Sequence, residues 1–378
     1  MTIRIKKNEY LKVFLLAALT ASIIIVPHLI SGRGILNIFD DWNLQQIPFN
    51  MQSNSSIKSG NVFWSWNTDL GSSFIGSYGF YTLGSIFFWF SFLFPADFFP
   101  YLIGPLLVLK YAIAAVTAFA FIKRFVKNNK YAVIGGLLYA FSGFQITNMM
   151  YNHFHDVVAL FPLLLISLEE LIENNRKGFF ALMVALNSFT NYFFFFGEVV
   201  FLLIYFVTRL YCKNYRKNLS TKKFFSIIFE GIIGVGISAI LLIPSIYFIL
   251  NNPKSKGHLT GLSMLLHSTY NYLNIFRAFL MPAEISSSRS MFSAADINST
   301  EAFIPIFGVI LVLTYIIHRK KSWISLSIIV SLIFMLIPVL NSSFTGFSPL
   351  YYSRWFYMPI LLIALASCLL YTSPSPRD

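Results

Sequence analysis

Apolar residues in this chain fall in long runs separated by short polar stretches. The first run, 13–30, is of near-spanning length, and others follow at 80–122, 131–149, 156–172, 179–210, 224–250, 302–317, 323–340 and 355–371. Runs of this length predict an all-α, polytopic transmembrane bundle of about ten spans. The runs at 80–122 and 179–210 are each too long for one crossing. Residues 80–94 are read as a re-entrant or interfacial arm ending at Pro95, with 101–122 as the true second span. Residues 179–210 are read as two short or broken helices turning near Asn187 to Tyr192.

Charge supports that map. Lys and Arg cluster in short loops between apolar runs, with nineteen on the side assigned as cytoplasmic and seven on the other. This is the bias produced by membrane insertion, and it places the N-terminus in the cytoplasm. The net charge of +13 therefore marks topology, not a nucleic-acid partner. Composition agrees: 56% of residues are hydrophobic and 11% charged, against about 25% charged in soluble domains. Cys212 and Cys368 read as small apolar filling, with neither a disulfide framework nor a zinc site. No cleavage site follows the first run, so it is read as a retained helix. Residues 1–372 form one membrane domain with outer loops at 31–79 and 251–300. The end, Ser373 to Asp378, reads as a non-native tail on a chain truncated at its C-terminus.

Three outer segments carry candidate chemistry. In FDDWNLQQIPF, Asp40 and Asp41 lie close beyond the first helix. A carboxylate there suits a general base toward an acceptor hydroxyl or a ligand to a divalent cation. The plainer reading is an Asp pair capping a short helix. In YNHFHDVVALFPL, His153, His155 and Asp156 suit metal binding, although the spacing is no zinc signature. The alternative is interfacial aromatics with Asp156 as N-cap. In SRWFYMP, Arg354 is placed to grip a lipid phosphate or to serve in an aromatic belt, with Arg277 and Arg289 as alternates. The 42 Phe residues read as lipid-facing bulk and packing. Lys110, near mid-span, is expected to face the bundle interior, and Glu230 to snorkel from the inner end of its span. P-loop, HExxH, GxSxG and DxD motifs are absent, which argues against direct use of a cytosolic nucleotide.

The order Asp41, Gln45, Pro48, Phe49, then Gly60, Trp64, Ser65 and Gly71, resembles the first outer loop of the bacterial YfhO family. YGFYTLGSIFFWFSFLFP and YNHFHDVVALFPLLLISLEELIENNRKG continue the likeness over most of the chain. Gln46 stands where the family commonly has Tyr, and family members are generally longer. The resemblance implies a GT-C-like glycosyltransferase that moves a sugar from a polyprenyl-phosphate donor to a cell-envelope polymer such as teichoic acid. It maps the catalytic carboxylate onto Asp41, with Asp40 as neighbour. Gln45, Trp64, His153, His155 and Asp156 become acceptor-side or structural residues. A lipid-substrate flippase and a non-catalytic biogenesis protein remain as alternatives.

Overall fold

The computed structural model of the protein describes residues 7–38, 40–68, 70–252, 257, 259–283, 300–305 and 308–371. Arg289 and the tail from Ser373 lie outside the described residues. The helices in chain order are α1 (Lys7–Ser31), α2 (Ile47–Lys58), α3 (Phe74–Tyr78), α4 (Phe99–Ile122), α5 (Asn129–Ala140) and α6 (Gly143–Thr147). There follow α7 (Asn152–Asn174), α8 (Phe179–Thr190), α9 (Tyr192–Arg209), α10 (Lys213–Asn218) and α11 (Thr221–Leu250). The last are α12 (Thr269–Leu280), α13 (Gly308–His318), α14 (Trp323–Leu336), α15 (Pro338–Ser342) and α16 (Tyr357–Tyr371). Among the described residues the only sheet is a small antiparallel hairpin, β1 (Trp64–Ser65) against β2 (Ser72–Ser73), with Trp64 opposite Ser73.

Among the described residues four helices are long and apolar enough to cross a membrane: Asn8–Ser31, Ala96–Ile122, Tyr192–Arg209 and Thr221–Leu250. The α14–α15 pair, bent by 102°, raises the number to five. The expected ten spans are therefore not reached. The reason lies in length and polarity. Helices do stand at the other positions, but α5 and α8 have 12 residues and α13 has 11. At 1.5 Å per residue these extend about 18 Å, short of a hydrocarbon core of about 30 Å. α7 is longer, at 23 residues, but carries Asp156, Glu169, Glu170 and Glu173.

α4 and α7 form the centre of the bundle. Most residues of α7 are buried on every face, the pattern of a helix enclosed by neighbours. α1 packs on α4 through Val13, Ala17, Ala21 and Ile25, one residue per turn and all buried. Small side chains on this stripe let the backbones approach closely. The opposite face of α1 exposes Leu15, Leu19 and Ile23, which lipid would cover. Gly136 permits similar contact between α5 and α4: a Cβ there would lie 2.6 Å from the Ala115 carbonyl.

The break inside 179–210 has a local cause. Asn191 is extended (φ −161°, ψ 108°), and its side chain accepts from the N–H groups of Phe193 (3.1 Å) and Phe194, capping α9. Its Nδ2 donates to the Phe80 carbonyl at 2.9 Å. The segment 80–94 forms short turns, not a long helix. Hydrogen bonds pin it to α2, from Asn54 to Ser91 (2.9 Å) and between Ser53 and Thr82 (2.8 Å). Glu230 departs from its expected role. It accepts from the Gly178 and Ala181 N–H groups (3.0 and 3.2 Å), filling the N-terminus of α8.

Candidate functional site

Asp41 sits where the chain turns from the end of α1 into α2. A wide π-type turn, Trp42–Gln46, makes the connection. Trp42 is fully buried, and its indole N–H donates to the Leu36 carbonyl at 2.8 Å, which anchors the turn. Asp40 precedes it in the left-handed region (φ 58°), a strained conformation that Asp tolerates better than most residues. Asp41 makes no capping hydrogen bond to the turn, so the helix-cap reading does not hold. Its Oδ1 instead accepts from Gln45 Nε2 at 2.6 Å. Burial, and then the charge of Asp40, raise its pKa above the ordinary carboxylate range, while Arg354 pulls it down.

Arg354 reaches the same place from the segment before α16. It is half-buried, with its guanidinium over the rings of Tyr352 (4.3 Å), Phe154 (5.3 Å) and Phe193 (5.7 Å). Phe154 and Phe193 are thus more than bulk, which corrects the reading of the phenylalanines. Among the described residues no ion pair joins Arg354 to an acid, and its Nε has no hydrogen-bond partner. Two tyrosines complete the group. Burial raises the pKa of Tyr81, and pushes Tyr151 up to about 12, with the charge of Asp41 adding to both. Tyr81, Tyr151 and Tyr352 carry no motif. Their place beside Asp41 and Arg354 depends on which loops meet, and the sequence offered no signal for it.

The remaining predicted residues separate. His153 Nδ1 faces Gln46 Oε1 at 3.1 Å, with its ring against Phe80 and Tyr81. It supports the Asp41 turn from below. His155 turns away to Gln145 Oε1 at 2.6 Å. Asp156 is not an N-cap but a buried partner of Lys110, at 2.5 Å, and Asn152 also accepts from that lysine. Lys110 is interior, as expected. The HxHD run thus points three ways and assembles no metal site. Among the described residues no three His, Cys, Asp or Glu converge. Asp40 and Asp41 alone are an incomplete ligand set for a divalent cation. Trp64 belongs to the hairpin, half-exposed. Arg277 acts on Glu301, not on the Asp41 group. The two cysteines are free, and Cys368 is buried as filling.

A cavity of about 750 Å³ opens beside the turn, with Gln45, Tyr81, Asn67 and Thr68 in its wall. A second, of about 420 Å³, lies between α12, α13, α14 and α16 and is walled almost wholly by apolar residues such as Ile275, Leu332 and Ile363.

Comparison with curated proteins and with solved structures gives no match. The profile of a bacterial membrane protein family, YfhO, matches residues 12–373. That covers the apolar helices, the Asp41 turn and the Arg354 segment together, and the chain belongs to the YfhO family of bacterial membrane proteins.

Proposed function

We propose that the protein is a GT-C-type glycosyltransferase, transferring a sugar from a polyprenyl-phosphate donor to a hydroxyl of a cell-envelope polymer, teichoic acid being one such acceptor. The observation that carries this reading is that Asp41, a carboxylate with raised pKa, feels the charge of Arg354, whose Nε has no hydrogen-bond partner, and is held by Gln45 in the wall of a large cavity.

The chemistry follows from the groups. Asp41 accepts the proton of the acceptor hydroxyl as its oxygen attacks the anomeric carbon. The bond from that carbon to the phosphate oxygen breaks, and its electron pair leaves with the polyprenyl phosphate. Arg354 offers a fixed positive charge and forked donors to that leaving phosphate. A carboxylate of raised pKa holds the abstracted proton better than an ordinary one. The apolar cavity between α12 and α16 suits the donor's hydrocarbon chain. A transporter reading would draw on Lys110 at mid-bundle, but that cation is neutralised by Asp156. On this reading the Asp41 end faces outward.

Two measurements test the proposal. Wall polymers and glycolipids from cells with the wild type and with Asp41→Asn are compared by mass; equal glycosylation by a well-accumulated variant rejects Asp41 as base. Cysteines at Ser55 and Asn128 are exposed to an impermeant thiol reagent on intact cells. Labelling at 55 alone is expected, and labelling at 128 would reverse the orientation.

A further inference from the structure

We infer that the 750 Å³ cavity is the acceptor seat and that it takes a hydroxyl-rich segment of the envelope polymer, with Asn67 in its wall and Trp66 beside it. The inference rests on the glycosyltransferase reading and adds a substrate class and residues to it.

The wall decides the class. Rings of Phe49, Tyr78 and Tyr192 share the wall with the amides of Gln45 and Asn67 and the hydroxyl of Thr68. Faces of aromatic rings accept the C–H faces of a sugar, while amides and hydroxyls exchange hydrogen bonds with its O–H groups. A hydrocarbon chain would strand those polar groups, and the apolar cavity elsewhere in the bundle is the better fit for one. Volume agrees, since ligand pockets usually span about 300–1,000 Å³.

The geometry decides the role. Gln45 lines the cavity and also holds the Asp41 carboxylate at 2.6 Å. A hydroxyl entering from this side therefore meets the base, as an acceptor must. The loop of the hairpin supplies Asn67 and Thr68 to the wall. Trp64 and Trp66 meet edge to face at 5.7 Å over Gly71, where a Cβ would lie 3.0 Å from each ring. Trp66 is 76% exposed and directly precedes Asn67 and Thr68 in the wall. Thr68 ties the hairpin down, with Oγ1 2.8 Å from the Tyr78 hydroxyl and 3.0 Å from Ser65 Oγ. A ring pair held rigid and left open to solvent suits stacking by a ligand.

The test uses the full chain in liposomes, with polymer extracted from cells lacking the protein as the acceptor probe. Titrating that polymer should change the tryptophan fluorescence of the wild type, and Trp66→Ala should lose most of the change. In transfer assays Trp66→Ala and Asn67→Ala should each raise the acceptor concentration for half-maximal rate by about tenfold, the loss of one stacking or polar contact. Half-saturation by donor should not move. Wild-type acceptor saturation in both variants overturns the seat, as does quenching of Trp66 by brominated lipid, which would place the hairpin in the bilayer. The two readings fail separately. A fully active Asp41→Asn rejects the underlying chemistry, whereas an inactive Asp41→Asn beside unchanged Trp66 and Asn67 variants rejects the seat alone.

Discussion

At the C-terminal end of α7, Glu169 is wholly buried and accepts from Arg209 Nε (2.8 Å), Arg209 Nη2 (2.5 Å) and the Tyr205 hydroxyl (2.7 Å). Glu170 and Glu173, partly exposed, pair with Arg124, and Arg209 stacks on Tyr215 and Trp323. At the N-terminal end, about 30 Å away along the helix, Asp41 and Arg354 are left without an ion pair among the described residues. The same residue types thus serve two ends in opposite ways. Where each charge has a fixed partner, the chain gains a defined helix arrangement and no reactive group. Where the partners are withheld, the carboxylate and the guanidinium stay available to something else.

Asp41→Asn gives the sharpest test of that contrast. Loss of a general base should lower transfer about 10²- to 10⁴-fold. Stability should hold or rise slightly. The sign follows from linkage: burial and Asp40 raise the folded pKa of Asp41, so ionisation weighs against the fold above that pKa and the penalty fades as pH falls. Asn removes the charge at every pH. By the same shift, the acidic limb of the wild-type pH–rate profile should lie above the ordinary carboxylate range. A variant that unfolds instead would make Asp41 structural and erase the contrast.

Arg209→Met should do the reverse at the other end. It leaves Glu169 buried without its cation, a change worth about 3–5 kcal/mol of stability. The expected result is a marked fall in the unfolding temperature of the protein in detergent. The pair Arg209→Met with Glu169→Gln should recover much of the loss, since no lone charge remains and Tyr205 keeps an acceptor. A smaller deficit, confined to activity, is expected of Arg354. Arg354→Gln should weaken transfer by about 2–5 kcal/mol, and Arg354→Lys by less, since it keeps the charge but loses the fork. Equal rates for all three would leave Arg354 as a belt residue.

Sequence patterns showed the helical membrane class, the broken 179–210 pair and the interior Lys110, because apolar runs, Asn breaks and intramembrane charge are local signals. Span number was not legible. Residue runs do not reveal that α5, α8 and α13 stop at 11 or 12 residues. The candidate site was half legible. Asp41 and Arg354 stood out as charges in apolar surroundings, whereas Tyr81, Tyr151 and Tyr352 join them only through the packing of three distant segments. His155 and Asp156 misled for the opposite reason. They are neighbours in sequence, but a helix turns successive side chains about 100° apart, so one reaches Gln145 and the other Lys110.

The smallest expected effect concerns Gln45, and it asks whether the open end is itself organised. Its amide donates to Asp41 Oδ1 at 2.6 Å from one turn along. That bond fixes the carboxylate's direction toward the cavity and favours its charged form. Gln45→Ala removes both effects while leaving the base in place. Transfer should fall by about 1 kcal/mol, the usual worth of a partly exposed hydrogen bond. The acidic limb of the pH–rate profile should move to higher pH, because a carboxylate that loses a donor is more easily protonated. Gln45→Glu places a second negative charge beside Asp41 and should move the limb further the same way. Side-chain trimming alone would lower the rate without moving the limb. The pH–rate profiles of the three proteins separate the cases, and a limb that stays fixed in both variants would show that Gln45 only packs against the turn.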